Sequence, residues 1–213
     1  MTDITVIIFY LLVLVFSAII HEVAHGYMAE RLGDPTARLA GRLTLNPISH
    51  LDPFGSFLLP LLLYFSTGGA FVFGWAKPVP YNPYNLKDPK AGAGKIAAAG
   101  PLTNLAIAAV FGVILRAATA GGYGESPLLL LLSIIIYTNV LLAVFNLVPI
   151  PPLDGSKVLF ALLPRTLRAH ELQRFLEQYG FYILIAFVFF GFSFLVPIVQ
   201  FVYALITGSP FGV

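Results

Sequence analysis

Two histidines and a glutamate stand at the end of a long uncharged run near the start of the chain. In FSAIIHEVAHGYMAERLG, His21, Glu22 and His25 follow residues 4–20, which contain no charged side chain. On a helix, His21 and His25 lie one turn apart on the same face, so both imidazoles can bind one metal ion. Glu22 lies beside them and can reach a water molecule at that metal without being a ligand, as a general base does. The spacing H-E-x-x-H therefore predicts a metal-dependent hydrolase.

A catalytic zinc ion takes three protein ligands, and the chain contains no cysteine to supply the third. Asp154 follows a long apolar run, where the prolines of NLVPIPPLDGSKVL prevent helix and hold the carboxylate in extended backbone. His50 and Asp52 also border an apolar segment, although turn structure beside the neighbouring prolines explains them more simply. His170 belongs to a polar stretch and is expected to face solvent. Spacing alone leaves Asp154 and His50 as alternatives for the third ligand.

The composition is that of a membrane protein. Hydrophobic residues make up 58% of the 213 residues, charged residues make up only 10%, and the mean hydropathy is +0.88. Soluble domains carry about a quarter charged residues, so this chain has too few charges to cover a soluble surface and lipid must cover most of the outside. The net charge is only +2 and no basic run is interleaved with aromatic residues. No nucleic-acid partner is therefore expected.

Four apolar runs approach the roughly 20 residues that cross a bilayer as a helix. They cover residues 4–28, 96–116, 128–148 and 181–206. A shorter run over residues 54–65 would reach only about 18 Å as a helix, well short of the roughly 30 Å hydrocarbon core, and is predicted to be a half-span or a re-entrant segment. The expected fold is an all-α polytopic membrane protein, with a single membrane-embedded domain over residues 1–213.

Two further segments have patterns of their own. The glycine pair at 68–69 and the stretch AFVFGWAKPVPYNPYN predict a small extended, β-like piece followed by a loop. Backbone of this kind lies at membrane depth only where protein or water satisfies its polar groups. In PRTLRAHELQRFLEQYG the apolar side chains share one helical face, which predicts an interfacial amphipathic helix over residues 164–180.

Several motifs together resemble those of a known family. HEVAH on the first apolar run, AGPLTN at the start of a later run and NLVPIPPLDG at the end of another resemble the site-2 protease family of intramembrane zinc metalloproteases, peptidase family M50. The stretches RLGDPTARLAGRLTLNPISHLDPFG and FGWAKPVPYNP are similar to the compact bacterial branch of that family, which has no PDZ or CBS domain. The resemblance covers nearly the whole chain, because these separate motifs occur in the order that the family has.

The resemblance implies a function and a set of site residues. It implies an intramembrane zinc endopeptidase that hydrolyses peptide bonds in or near transmembrane segments of other membrane proteins, with one Zn2+ per chain. The implied residues are His21, His25 and Asp154 as zinc ligands, Glu22 as the general base, and Asn146 and Asn104 as further catalytic residues. Asn146 is implied to hold the substrate and stabilise the oxyanion, whereas capping or packing remains an alternative role for Asn104.

A metal-ion transporter or channel is the rival function from another class. In that case the His, Glu and Asp side chains would bind a metal ion in transit across the membrane. Transport sites often lie between repeated halves of a chain, and this sequence shows no internal repeat. The protease interpretation is therefore favoured.

The basic residues predict which side of the membrane holds the site. Arg31, Arg38 and Arg42 follow the first motif and further lysines and arginines follow Asp154, whereas the loop 119–127 contains no basic residue. Loops rich in lysine and arginine stay on the cytoplasmic side. We therefore expect a multi-pass protein of the bacterial cell membrane, with its active site toward the cytoplasm and with the lipid bilayer and transmembrane protein substrates as its partners.

Overall fold

The computed structural model describes residues 3–67, 77–123 and 126–211. Within these ranges the chain is largely helical and contains no β-strand. The α-helices of the described residues are α1 (Asp3–Arg31), α2 (Thr36–Leu39), α3 (Leu59–Thr67), α4 (Pro89–Ala120), α5 (Pro127–Asn146), α6 (Asp154–Leu162), α7 (Leu167–Ala186) and α8 (Leu195–Thr207). Short pieces of 3₁₀ or π-helix lie at Pro47–His50, Pro53–Leu58, Pro83–Asn85, Phe187–Gly191 and Phe192–Phe194.

Four helical stretches of the described chain are long and apolar enough to cross a membrane. They are Ile4–Arg31, Pro89–Ala120, Pro127–Asn146 and Leu167–Thr207. The predictions of an all-α, multi-pass membrane protein and of four spanning helices are confirmed. α4 begins earlier than its apolar run because Asp88 caps it, accepting hydrogen bonds from the N–H groups of Lys90 and Ala91, and because proline fits the first helical position.

The last spanning stretch differs from its prediction. The sequence predicts a separate amphipathic helix ending near residue 180, but α7 continues through that position and joins α8 through the π- and 3₁₀-helical turns. Gly180 stays helical and allows a close approach of Pro151, whose Cβ would lie 2.7 Å from a Cβ added at Gly180. The glycine is therefore a packing position within the helix and not a helix end.

The short apolar run is helical but brief. It consists of the π-helical turn Pro53–Leu58 followed by α3. Most of the predicted extended piece, residues 70–76, lies outside the described residues. Residues 77–80 are described and are neither helical nor part of a strand.

α1 and α4 pack antiparallel and bring their polar residues together. The ring of His21 contacts Asn104, and the ring of His25, one turn later in α1, contacts Ile96, two turns earlier in α4. The buried side chains of Ala29, Leu86 and Ile96 continue this contact toward the end of α1. The second half of α1 therefore lies against the first half of α4.

An apolar cluster holds α4, α5 and α8 together beyond the polar residues. Its buried members are Ala108, Leu115, Leu132, Ile136, Val140, Val199 and Tyr203. Gly112 permits the close packing of α4 on α8, because a Cβ at this position would lie 2.2 Å from Cγ2 of Ile206. This apolar packing fixes α4 and α5, whose other ends lie at the site.

The segment 77–82 is tied to the loop that follows α1. The N–H of Lys77 donates to the backbone oxygen of His50 at 2.8 Å, and the backbone oxygen of Lys77 accepts from Nη2 of Arg42 at 2.6 Å. These bonds hold the start of the segment. Val79, two residues later, is buried.

Asp34 holds the other end of the same segment. Its fully buried carboxylate accepts hydrogen bonds from the N–H of Asn82 at 2.6 Å and from Nδ2 of Asn85 at 2.7 Å, and also from the N–H and hydroxyl of Thr36. Burial raises the pKa of Asp34, but these hydrogen bonds lower it by more, so the net pKa lies below its ordinary value. Asp34 is therefore an ionised anchor that fixes the course of residues 82–85.

Candidate active site

The two histidines of α1 are each held through Nδ1. Nδ1 of His25 lies 2.7 Å from the backbone oxygen of Ile96, and a carbonyl oxygen can only accept, so this ring nitrogen carries the proton. Nδ1 of His21 lies 2.5 Å from Oδ1 of Asn104. Both rings are buried.

A chain of amides orients the Asn104 side chain. Nδ2 of Asn139 donates to the hydroxyl of Ser17 at 3.0 Å and to the backbone oxygen of Ile135 at 2.9 Å. Oδ1 of Asn139 is therefore free to accept from Nδ2 of Asn104, at 2.8 Å. It follows that Oδ1 of Asn104 accepts from the Nδ1–H group of His21, so the neutral form of the ring has its lone pair on Nε2.

The third member of the cluster is Asp154, at the start of α6. Its Oδ2 lies 3.0 Å from Nε2 of His21 and 3.1 Å from Nε2 of His25. Burial raises the pKa of Asp154, but hydrogen bonds with the two histidines lower it by more, so the net pKa lies well below its ordinary value. The carboxylate therefore meets both rings in its ionised form.

This arrangement fits a metal ion. Each ring donates through Nδ1, so its Nε2 faces Oδ2 of Asp154, and this contact is favourable only with a proton or a metal ion between the two atoms. The ligand atoms of His21, His25 and Asp154 lie within 4.8 Å of one another, and among the described residues this set could hold an ion. Two imidazole nitrogens and one carboxylate oxygen are the donors that zinc takes in catalytic sites.

Gly100 of α4 makes room for this cluster. A Cβ at Gly100 would lie 2.5 Å from Nε2 of His21 and 2.6 Å from Nε2 of His25. Any larger residue would displace the rings from the space in which their lone pairs meet. The sequence motif AGPLTN therefore contributes Gly100 to the site, in addition to Asn104.

Glu22 lies at the same cavity but outside the group of possible metal ligands. Its Oε2 accepts a hydrogen bond from the N–H of Val79 at 2.9 Å. Proline on both sides of Val79 leaves this as the single backbone N–H between Lys77 and Tyr81. The tied segment 77–82 thus holds one oxygen of the Glu22 carboxylate and leaves the other available.

A cavity of about 150 Å³ joins these side chains. Its lining includes His21, Glu22, His25, Asn146 and Asp154, together with Tyr81 and Lys157. Nδ2 of Asn146 donates one of its two hydrogens to the backbone oxygen of Leu142 at 2.9 Å. The side chain of Asn146 therefore reaches the cavity from the end of α5 with donor capacity remaining.

The other candidate ligands have separate partners. Nε2 of the buried His50 bonds the backbone oxygen of Thr44 at 2.8 Å. Asp52 accepts from the N–H groups of Phe54 and Gly55, as a turn residue does. His170 is exposed on α7. Among the described residues, Asp154 is the candidate that joins His21 and His25.

Local spacing in the sequence points to only one of four further contributors to the site. They are Gly100, Val79, Tyr81 and Lys157. Each acts through a contact between segments that are distant in the chain. Of these, Lys157 alone has a sequence cue, since it follows Asp154 by one helical turn and so shares its face.

Comparison with known proteins assigns the family. The sequence profile of peptidase family M50 matches residues 9–125 and 123–191. The chain belongs to peptidase family M50. These M50 matches run from α1 into α7 and include every residue of the cluster described above. The resemblance inferred from the motifs is confirmed.

Individual M50 relatives are similar over most of the chain. YwhC of Bacillus subtilis, named as a candidate zinc metalloprotease, is 39% identical over 178 residues, covering 79% of this chain and 74% of YwhC. Rip2 of Mycolicibacterium smegmatis, named in the same way, is 31% identical over 172 residues, covering 79% of this chain and 62% of Rip2. No solved structure matches this M50 chain.

Proposed function

We propose that this M50 peptidase is an intramembrane zinc endopeptidase that hydrolyses peptide bonds in or near transmembrane segments. The observation that carries the proposal is the convergence of the His21 and His25 Nε2 atoms on Asp154, with Glu22 at the same cavity. Helix α1, which carries His21, Glu22 and His25, and helix α4, which packs against it, are long and apolar enough to span a membrane. A zinc peptidase site built on such helices acts on polypeptide at membrane depth.

His21, His25 and Asp154 would hold one zinc ion. When bound, zinc supplies a Lewis acid that polarises a carbonyl group and makes water a better nucleophile near neutral pH. Asn104 and the backbone of Ile96 fix the tautomers of the two rings, so that Nε2 of each ring remains free to bind. Asn104 is therefore a positioning residue in this scheme.

Glu22 moves the proton. Its free carboxylate oxygen accepts a proton from the attacking water and then delivers it to the leaving amine. The hydrogen bond from Val79 holds the other oxygen and fixes the orientation of the carboxylate. Glu22 can perform both transfers because it lies at the cavity without being one of the possible metal ligands.

The substrate must enter as an extended chain. A helix with its side chains is about 10 to 12 Å across. The cavity beside Glu22 has a volume of about 150 Å³, which is too small to hold a segment of that width. Carbonyl groups inside a helix are also hydrogen-bonded and shielded from attack. Local unwinding of the transmembrane substrate therefore precedes hydrolysis.

Replacing Asn146 with alanine is expected to lower kcat by about 10²- to 10³-fold and to change KM little. The second hydrogen of Nδ2 is placed to stabilise the oxyanion, and losing one such donor costs about 2.7 to 4 kcal/mol in the transition state. Steady-state kinetics on a model transmembrane peptide would separate the two constants. A change confined to KM would show that Asn146 only positions the substrate.

The transporter alternative makes an opposite prediction that one preparation can test. The purified protein is reconstituted in vesicles with a transmembrane peptide in the bilayer and a zinc-sensitive dye inside. The proposed function predicts peptide cleavage without zinc flux. Zinc flux without cleavage, from protein that is folded and contains zinc, would overturn it.

The packing of α1 on α4 supports a re-entrant course for the short helical segment. α1 ends and α4 begins beside the same site, so residues 32–88 connect them without a net crossing of the membrane. In this topology the π-helical turn and α3 form a half-span that enters the membrane from the side of the site. With the basic loops at this end of the helices, the site faces the cytoplasm.

Single cysteines test this topology, because the native chain has none. In intact cells, an impermeant thiol reagent is expected to label Tyr123→Cys and to leave Leu39→Cys, Lys87→Cys and Arg168→Cys unlabelled. Permeabilised cells provide the control, since all four exposed positions should then react. Labelling of Arg168→Cys without Tyr123→Cys would invert the orientation. Labelling of Lys87→Cys would show that the segment before it crosses completely.

A further inference from the structure

Lys157 is a cation in the cavity that the proposed mechanism does not use. It lies in α6, one turn after Asp154, and its partly buried side chain lines the cavity together with His21 and Glu22. Its Nζ lies 5.7 Å from the centre of the Tyr81 ring. The contact with Tyr81 holds the ammonium group between α6 and the segment 77–82.

Among the residues that the structure describes, this charge has no acidic partner in an ion pair. The ion pairs of the described residues join other side chains, and no hydrogen bond among those residues involves Nζ of Lys157. A positive charge near the N-terminus of a helix is also opposed by the helix dipole. A cation that is partly buried under these conditions needs an anion to compensate it.

The net charge of the cavity indicates whether it would attract such an anion. Glu22 and Asp154 carry two negative charges, which a divalent zinc ion balances, while both histidines are neutral as ligands. Lys157 then leaves the zinc-loaded cavity with one uncompensated positive charge. Such a cavity attracts a negatively charged group of the substrate.

We propose that Lys157 determines specificity by binding the carboxylate of an aspartate or glutamate side chain close to the scissile bond. This inference rests on the proposed function and names a chemical feature of its substrates. An acidic side chain is small enough for the cavity and pairs directly with an ammonium group. Substrates would therefore carry an acidic residue at the point where the chain unwinds.

The first experiment measures binding without catalysis. Zinc-loaded Glu22→Gln protein in lipid nanodiscs is tested against end-blocked peptides in which one position, scanned along the peptide, carries glutamate, glutamine or lysine. At one position the glutamate peptide is expected to bind about tenfold more tightly than its glutamine twin. Adding Lys157→Glu should reverse the order, so that the lysine peptide binds best. Because Glu22→Gln is common to both proteins, it cannot produce this difference.

The second experiment uses the active protein and maps cleavage sites in a set of transmembrane peptides. The preference for an acidic residue should disappear in Lys157→Met and persist in Lys157→Arg. Lys87→Glu is the matched control, because Lys87 is exposed in the loop before α4 and lies outside the cavity lining. This control should keep the wild-type preference. Zinc content and elution as a single species confirm that each variant is folded.

The results that overturn the inference differ from those that overturn the proposed function. Equal binding of glutamate and glutamine peptides, or an acidic preference that survives Lys157→Glu, would remove the specificity role. A peptide with a free C-terminal carboxylate could instead bind more tightly than any peptide with an acidic side chain. Lys157 would then bind the C-terminal carboxylate of the cleavage product and would not select the substrate. In each of these cases cleavage itself remains. Absence of both binding and cleavage in folded, zinc-loaded protein would contradict the proposed function as well.

Discussion

Glu22→Gln is expected to abolish peptide hydrolysis while the protein keeps its zinc. The amide has nearly the same shape as the carboxylate but cannot accept a proton from water, so the rate should fall by at least about 10²- to 10⁴-fold. The metal content should not change, because the possible ligand atoms belong to His21, His25 and Asp154. Cleavage kinetics and elemental analysis of the purified variant measure the two quantities separately.

Glu30→Gln is the matched control for this experiment. Glu30 lies on the same helix, two turns beyond Glu22, and pairs with Arg38 away from the cavity lining. Its replacement removes the same charge and should leave activity and zinc content unchanged. Loss of zinc together with activity in Glu22→Gln would mean that Glu22 is a ligand, and the assigned roles would be wrong.

Asp154→Ala is expected to lose both zinc and activity. Its Oδ2 is the atom on which both histidine Nε2 atoms converge, so alanine leaves two ligands and an open site. Loss of a residue that only orients a ligand costs about 10- to 100-fold in metal affinity, and loss of the ligand itself should exceed that range. Competition with a zinc chelator of known affinity gives the value for the purified variant.

His50→Ala distinguishes the two ligands that spacing alone leaves open. The His50 ring is buried and bonds the backbone of Thr44, outside the cluster of possible ligands. The variant should therefore retain zinc, even if the loop that holds segment 77–82 becomes less stable. An empty site in His50→Ala with full zinc occupancy in Asp154→Ala would reverse the assignment.

The sequence predicts the parts of the site that depend on local spacing. His21 and His25 meet on one face because the helix repeat places them there. The prolines before Asp154 predict extended backbone, but they form a turn that leads directly into α6, which begins at Asp154. The choice of Asp154 over His50 needs either the family resemblance or the distances in the structure.

Contacts between distant segments could not be read from the sequence. The hydrogen bond from Val79 to Glu22 joins a proline-rich loop to the first helix, and the space left by Gly100 depends on how α4 packs against α1. The continuation of α7 through Gly180 has the same origin. In the sequence, Gly180 marks the end of the predicted amphipathic helix. In the structure it lies inside α7, where a side chain at this position would collide with Pro151.

The position of the cut in a membrane-embedded substrate shows whether this M50 peptidase is an intramembrane zinc endopeptidase. Purified protein and a model transmembrane protein are reconstituted in the same vesicles, and the products are identified by mass spectrometry in water enriched in ¹⁸O. The proposed function predicts zinc-dependent cuts in or beside the transmembrane segment, with one solvent oxygen in each new carboxyl group and no products from Glu22→Gln. Equal cleavage by wild type and Glu22→Gln, or cuts confined to the soluble tails of the substrate, would contradict it.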